Sequence, residues 1–72
     1  MFRISGKTAI YRVNEECGLH IVPGAYETIA GYLLDVFGKI PQEGERIKTK
    51  EGFFTVEKVM GRRIKSAVLE KI

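Results

Sequence analysis

Cys17 and His20 stand three positions apart, with Glu15 and Glu16 directly before them. Thiolate, imidazole and carboxylate are the groups that bind zinc. The chain holds a single Cys and a single His, so neither a CxxC nor an HxxxH spacing can form and a tetrahedral site lacks donors. The simpler reading is structural: Cys17 is a small apolar residue at a helix end, and His20 begins an extended segment. Covalent catalysis fares worse, because a nucleophile needs a base and a third group to orient it. His20 is the only imidazole, and no G-x-S-x-G turn occurs. Glu15-Glu16 and Glu43-Glu45 flank helix ends or loops and read as solvated charge rather than an acid/base pair. No catalytic residue is nominated, and no metal or cofactor is expected.

Anion binding is the second chemistry to weigh. There is neither a Walker loop nor a dinucleotide glycine fingerprint. Gly24 nevertheless precedes a helix start at Thr28, and a helix N-terminus attracts anions. Arg62, Arg63 and Lys65 supply further positive charge. Gly24, Thr28, Arg62 and Arg63 are therefore the candidate ligand-binding residues, for an adenine nucleotide or another anion, against the alternative of a solvent-exposed hairpin tip. A nucleic-acid interface would need a coherent basic face with stacking aromatics. Lys48, Lys50, Lys58, Arg62, Arg63 and Lys65 cluster late in the chain and Phe53 could join them. Glu45, Glu51, Glu57 and Glu70 dilute that patch, so nucleic acid is not an expected partner.

These side chains must be positioned by a small framework. The 72 residues make one domain, 1–72, with 44% hydrophobic and 29% charged residues, an ordinary balance for a soluble globular fold. A chain of this size buries only roughly 60% of its unfolded surface, so each large apolar residue counts. The net charge of +3 comes from 12 basic and 9 acidic residues interleaved along the chain. The lone Cys17 excludes an internal disulfide framework. No run reaches the ~18 apolar residues of a membrane span, and the N-terminus, MFRISGKTAI, lacks the apolar core of a secretory signal.

The longest helical pattern is Tyr26 to Pro41. Tyr26, Ile29, Ala30, Leu33, Leu34 and Phe37 recur at the spacing of one helical face, with Thr28 placed to cap the first turn and Gly38 and Pro41 to end it. Tyr32 falls outside this apolar stripe. Gly31 costs roughly 1 kcal/mol in a helix and suggests a closely approaching backbone. Before this, Met1 to Ser5 alternates like a half-buried strand, Gly6 breaks it, and Thr8 is placed to cap a helix over Ala9 to Cys17 that Gly18 stops. Leu19 to Ala25 is extended. After Ile40 the period becomes two. Glu45 to Lys50 is a strand, Glu51-Gly52 a hairpin turn, and Phe53 to Met60 a strand with Phe54 and Val56 inward. Val59 is out of step, which suggests a bulge near Glu57-Lys58. Gly61-Arg62 is a second tight turn, and Arg63 to Leu69 returns with Ile64 and Val68 inward. The fold class is α+β: two helices packed on a small, mainly antiparallel sheet with a C-terminal three-stranded meander.

The order of these elements resembles a known family. Asn14-Glu15 closing the first helix, Gly18-Leu19, Pro23, Thr28 with Ala30-Gly31, Ile40-Pro41, Gly44-Glu45, Phe54 with Val56, and Arg63-Ile64 together are similar to the CorC/HlyC transporter-associated domain. The likeness covers nearly the whole chain, although no single motif is specific. It implies a fold like one subdomain of FAD-binding enzymes, without implying that FAD binds. It further implies a non-enzymatic regulatory or interaction domain of a hemolysin-like or magnesium and cobalt efflux protein. Such domains sit at the C-terminus of a larger protein on the cytoplasmic side of the bacterial inner membrane, and residues 1–72 are expected to be a piece excised from one. The partners it implies are a CBS pair and a membrane domain of the same protein. A homodimer is a further expected partner, through Tyr32 and Phe53. This chain departs from the family where acidic residues often follow the Pro (here Gly24-Ala25) and where an acid often precedes the Arg-Ile step (here Met60-Gly61-Arg62). Part of any acidic cation patch would thus be missing.

Overall fold

The computed structural model describes residues 1–24 and 26–71. Ala25, which ends the stretch expected to be extended from Leu19, and Ile72 lie outside the described residues. Strand β1 (Phe2–Ser5) is followed by helices α1 (Ile10–Cys17) and α2 (Ile29–Phe37), then by strands β2 (Arg46–Thr49), β3 (Gly52–Met60) and β4 (Arg63–Lys71). The strands form one sheet in the order β1-β4-β3-β2, with every neighbouring pair antiparallel. This is the expected α+β architecture. The C-terminal meander supplies three strands, and the first strand adds beside the last.

One sheet face is apolar and carries both helices. Phe2, Leu69, Phe54 and Ile47 oppose one another across all four strands, and Ile4, Ala67 and Val56 across three. Onto this face pack Ile10, Val13 and Cys17 of α1, Ile29, Tyr32 and Leu33 of α2, and Leu19 and Ile21 between them. Burying each large side chain stabilises the fold by roughly 1.5–3 kcal/mol. Asn14 fastens the extended segment to α1: its Nδ2 donates to the Ile21 carbonyl at 2.8 Å and its Oδ1 accepts from the Ile21 amide at 3.0 Å. Gly18 ends α1 in the left-handed region, at φ 69°.

Several expectations are corrected. Thr8 does not cap α1; Ala9 occupies that position with no side-chain cap. The Ile10 amide instead donates to the Glu27 carbonyl, and the Thr8 carbonyl accepts from Ile29. Backbone pairing between the two helix starts thus replaces the hydroxyl. Tyr32 is not outside the core. It is 9% exposed and makes edge contacts with Tyr26 and Phe54, at centroid distances of 5.3 and 5.9 Å. Gly31 faces side chains rather than a backbone, since an added Cβ would lie 3.2 Å from Tyr26 Cβ. The β2–β3 turn residues are Lys50 and Glu51, and Gly52 already pairs with Thr49 as the first residue of β3.

The bulge is real and double. Val56 pairs with Ala67 and Lys58 with Ser66, which leaves Glu57 as an extra residue on β3. Val59 then pairs with Ile64, which leaves Lys65 extra on β4. Each extra residue reverses side-chain parity. Ile64 therefore faces inward together with Ala67 and Leu69, and Val68, expected inward, lies half-buried on the opposite face.

Candidate functional site

The residues with potential for covalent or metal chemistry are placed structurally. Cys17 is buried in the last turn of α1. Burial, followed by the nearby Glu16 charge, raises its thiol above the ordinary range, which keeps it protonated. His20 is exposed, and its backbone amide donates to Glu51 Oε1 at 3.2 Å. Among the described residues no group of three or more His, Cys, Asp or Glu side chains could hold a metal ion. The acids Glu43 and Glu45 serve the turn before β2. Glu45 accepts from the Gln42 amide at 2.7 Å and from Lys39 Nζ at 3.1 Å, and these contacts lower its carboxyl below the ordinary range. Glu43 accepts from the Val59 amide at 3.0 Å.

Of the four candidate anion-binding residues, the structure brings two together. Thr28 and Arg63 line a cleft of about 600 Å³ between the start of α2 and the β3–β4 hairpin, together with Lys7, Met60 and Lys65. Gly24 lies in the loop before α2 and Arg62 at the hairpin tip, and neither lines this cleft. Thr28 caps α2 as expected, its hydroxyl accepting from the Gly31 amide at 3.3 Å. The other first-turn amides are also occupied: Ile29 donates to the Thr8 carbonyl at 2.9 Å and Ala30 to the Gly6 carbonyl at 3.2 Å. The helix end thus offers an anion its dipole but no spare N–H donor. Charge at the cleft comes from Lys7, Arg63 and Lys65, all exposed. Lys7 was not visible from the sequence. It reaches the cleft because β1 lies beside β4, with the Gly6 amide donating to the Lys65 carbonyl at 2.7 Å. An added Cβ at Gly6 would lie 2.0 Å from the Ile64 carbonyl oxygen, so only glycine permits this approach.

The sheet face without helices is the second surface. Arg3, Val68, Thr55 and Arg46 form one row across it, and Lys48, Phe53 and Glu70 the next. Phe53 is half-buried beneath Arg46, whose guanidinium carbon lies 4.1 Å from the ring centroid. Arg46 also pairs with Glu70 at 3.2 Å. Glu57, projecting from its bulge, accepts from Arg3 Nε at 3.0 Å and from the Ser66 hydroxyl at 2.9 Å. The Arg3 bond, then the Ser66 bond, holds its carboxyl below the ordinary range. Mixed charge thus covers a thin apolar row, Phe53 and Val68, on this face.

Comparison with known proteins gives these surfaces a context. The family model described as "Transporter associated domain" (CorC_HlyC) matches residues 1–72. The CorC_HlyC domain from Nitrosomonas europaea superposes with a TM-score of 0.88 at 26% identity, covering 97% of this chain and 85% of that one. A CorC-associated region from Neisseria meningitidis MC58, assigned to a Mg2+ and Co2+ transporter, gives 0.89 at 26% identity over 97% and 86%. The CorC_HlyC domain of a Xylella fastidiosa Temecula1 hemolysin, in complex with Mg++ and Mn++, gives 0.83 at 28% identity over 99% and 86%. No curated protein matches the chain. Among the described residues no helix is long and apolar enough to cross a membrane. With a family match along its whole length and the same fold as solved members, the chain belongs to the CorC_HlyC transporter-associated domain family.

Proposed function

We propose that this chain is the C-terminal regulatory and interaction domain of a hemolysin-like or magnesium and cobalt efflux membrane protein. It acts without catalysis, on the cytoplasmic side of the bacterial inner membrane, and modulates cation transport through contact with a CBS pair and a membrane domain of the same protein. The family match and the transporter-related neighbours support the setting. The observation that carries the reading is the helix-free sheet face, where Phe53 and Val68 sit half-buried among Arg3, Arg46, Lys48 and Glu70. A second copy of the chain is the other candidate occupant of this face, and sedimentation of the isolated domain separates the two.

The test is the double variant Phe53→Ala, Arg46→Glu in the parent protein, read as Mg2+ or Co2+ efflux at matched protein abundance. A changed efflux rate is expected. Efflux unaltered by this variant and by removal of the whole domain sinks the proposal.

The ligand reading remains as a second proposal, favoured by the cleft that gathers Thr28, Arg63, Lys7 and Lys65. Millimolar adenine nucleotide then raises the thermal midpoint of the isolated domain, because a ligand that binds only the folded state stabilises it. An unmoved midpoint removes this reading.

A further inference from the structure

We infer that the β3–β4 hairpin end of the domain docks on an anionic membrane surface. Lys7, Lys58, Arg62, Arg63 and Lys65 are all exposed at this end, around two adjoining depressions that share Ser5 and Lys65. Among the described residues none of the five forms an ion pair with a carboxylate. Acids around this end are already engaged: Glu57 by Arg3 and Ser66, Glu43 by the Val59 amide, and Glu16, which shares a depression with Lys7, by Arg12. Setting aside this group together with Arg3, Glu43 and Glu57, the remaining six basic and seven acidic residues nearly balance. The net positive charge of the chain is therefore concentrated at one end.

That end also carries an apolar element. Met60, beside the turn, is 64% exposed and lies at the mouth of the cleft, which Ala30, Leu34 and Ile64 also line. An unbranched, flexible apolar side chain ringed by cations suits the boundary between headgroups and acyl chains. A nucleic-acid partner is disfavoured because, among the described residues, no aromatic lines either depression; Phe53 belongs to the helix-free face beneath Arg46. The glycine at the turn, Gly61, has φ 62° and lets the hairpin close in two residues, which puts Arg62 at the tip and Arg63 at the start of β4. Docking here leaves the Phe53 end of the helix-free face, with Lys48 and Glu70, open for other domains.

The inference names a partner surface within the proposed function and rests on the chain belonging to a membrane-associated protein. Each basic residue brought to an anionic bilayer multiplies the partition coefficient roughly fivefold. The test is co-sedimentation of the 72-residue chain with phosphatidylcholine vesicles, with and without about 30 mol% phosphatidylglycerol. The expected result is binding to the anionic vesicles alone, with release in about 0.5 M salt, where screening is short-ranged. Arg62→Ala with Arg63→Ala lowers the partition coefficient roughly 25-fold, and Met60→Ser lowers it further. The control pair Arg46→Ala, Lys48→Ala changes it by less than about twofold, since those cations sit on β2 opposite Thr55 and Phe53, away from the hairpin end. Circular dichroism of each variant establishes that it is folded.

Four outcomes overturn the inference: no binding to anionic vesicles, equal binding to neutral ones, equal loss in both variant pairs, or equally strong retention on duplex DNA at the same salt. Displacement by inorganic phosphate at constant ionic strength overturns it as well, and assigns the charge to a discrete anion site. Failure here leaves the regulatory reading standing, because that reading is scored by cation efflux in the parent protein.

Discussion

Replacing Gly6 by alanine tests the junction that brings β1, α2 and β4 together. The new Cβ would lie 2.0 Å from the Ile64 carbonyl oxygen and 3.2 Å from Ala30 Cβ. Favourable heavy-atom contact starts near ~3.5 Å, and the obstacle is backbone, so no rotamer change relieves it. The end of β1 must retreat, which stretches the 2.7 Å bond from the Gly6 amide to Lys65 and the 3.2 Å bond from Ala30 to the Gly6 carbonyl. Each such bond contributes about 1 kcal/mol net, and overpacking adds about 1–3 kcal/mol. The expected loss is about 3–5 kcal/mol, against a total of roughly 4–11 kcal/mol for a domain of this length. Urea denaturation followed by circular dichroism reads this directly. With a slope of about 1 kcal/mol per molar, the midpoint falls by about 3–5 M or the variant is unfolded at the start. A midpoint lowered by less than about 0.5 M would refute the claim that the β1–β4 approach depends on a missing side chain.

Two further outcomes follow from the same geometry. Thr28→Ala removes the acceptor for the Gly31 amide and lowers stability by about 1 kcal/mol in denaturant titration, whereas Thr28→Ser retains most of the wild-type value. Glu57 and Glu45 have folded-state pKa values below the ordinary 4.5, so their contribution is complete above the unfolded value and disappears as pH falls through the lowered folded values. Acid titration of stability therefore declines below about pH 5, and Glu57→Gln flattens that decline; an unchanged acid limb in this variant would remove Glu57 from the account.

The fold was legible because its elements carry local signals. The Thr28 cap, the Gly38 stop and the apolar stripe between them are properties of neighbouring residues, and α2 forms where they place it. The out-of-step Val59 likewise announced the bulge. What stayed hidden depends on pairing between distant segments. Nothing near Lys65 in the chain marks it as the compensating bulge, so Val68 was placed on the wrong face and Ala67 overlooked. Tyr32 lies off the simple helical stripe, yet the loop carrying Tyr26 and the sheet bearing Phe54 enclose it from two sides. The candidate surface was half legible for the same reason. Thr28 and Arg63 could be proposed from charge and helix position, whereas Lys7 joins them only through the placement of the first strand beside the last.

That placement also bears on how the protein acquires its structure. Phe2 is opposite Leu69, and Ser5 opposite Ser66, so the first strand has no sheet to join until the last has formed. The meander can assemble from two local hairpins, while β1 must close a loop spanning most of the sequence, at an entropic cost that grows with loop length. On a ribosome, β1 and both helices emerge before any of their sheet partners, and their apolar faces wait uncovered. Docking of β1 is thereby deferred until β4 has emerged, and the cleft beside Lys7 cannot be complete before that.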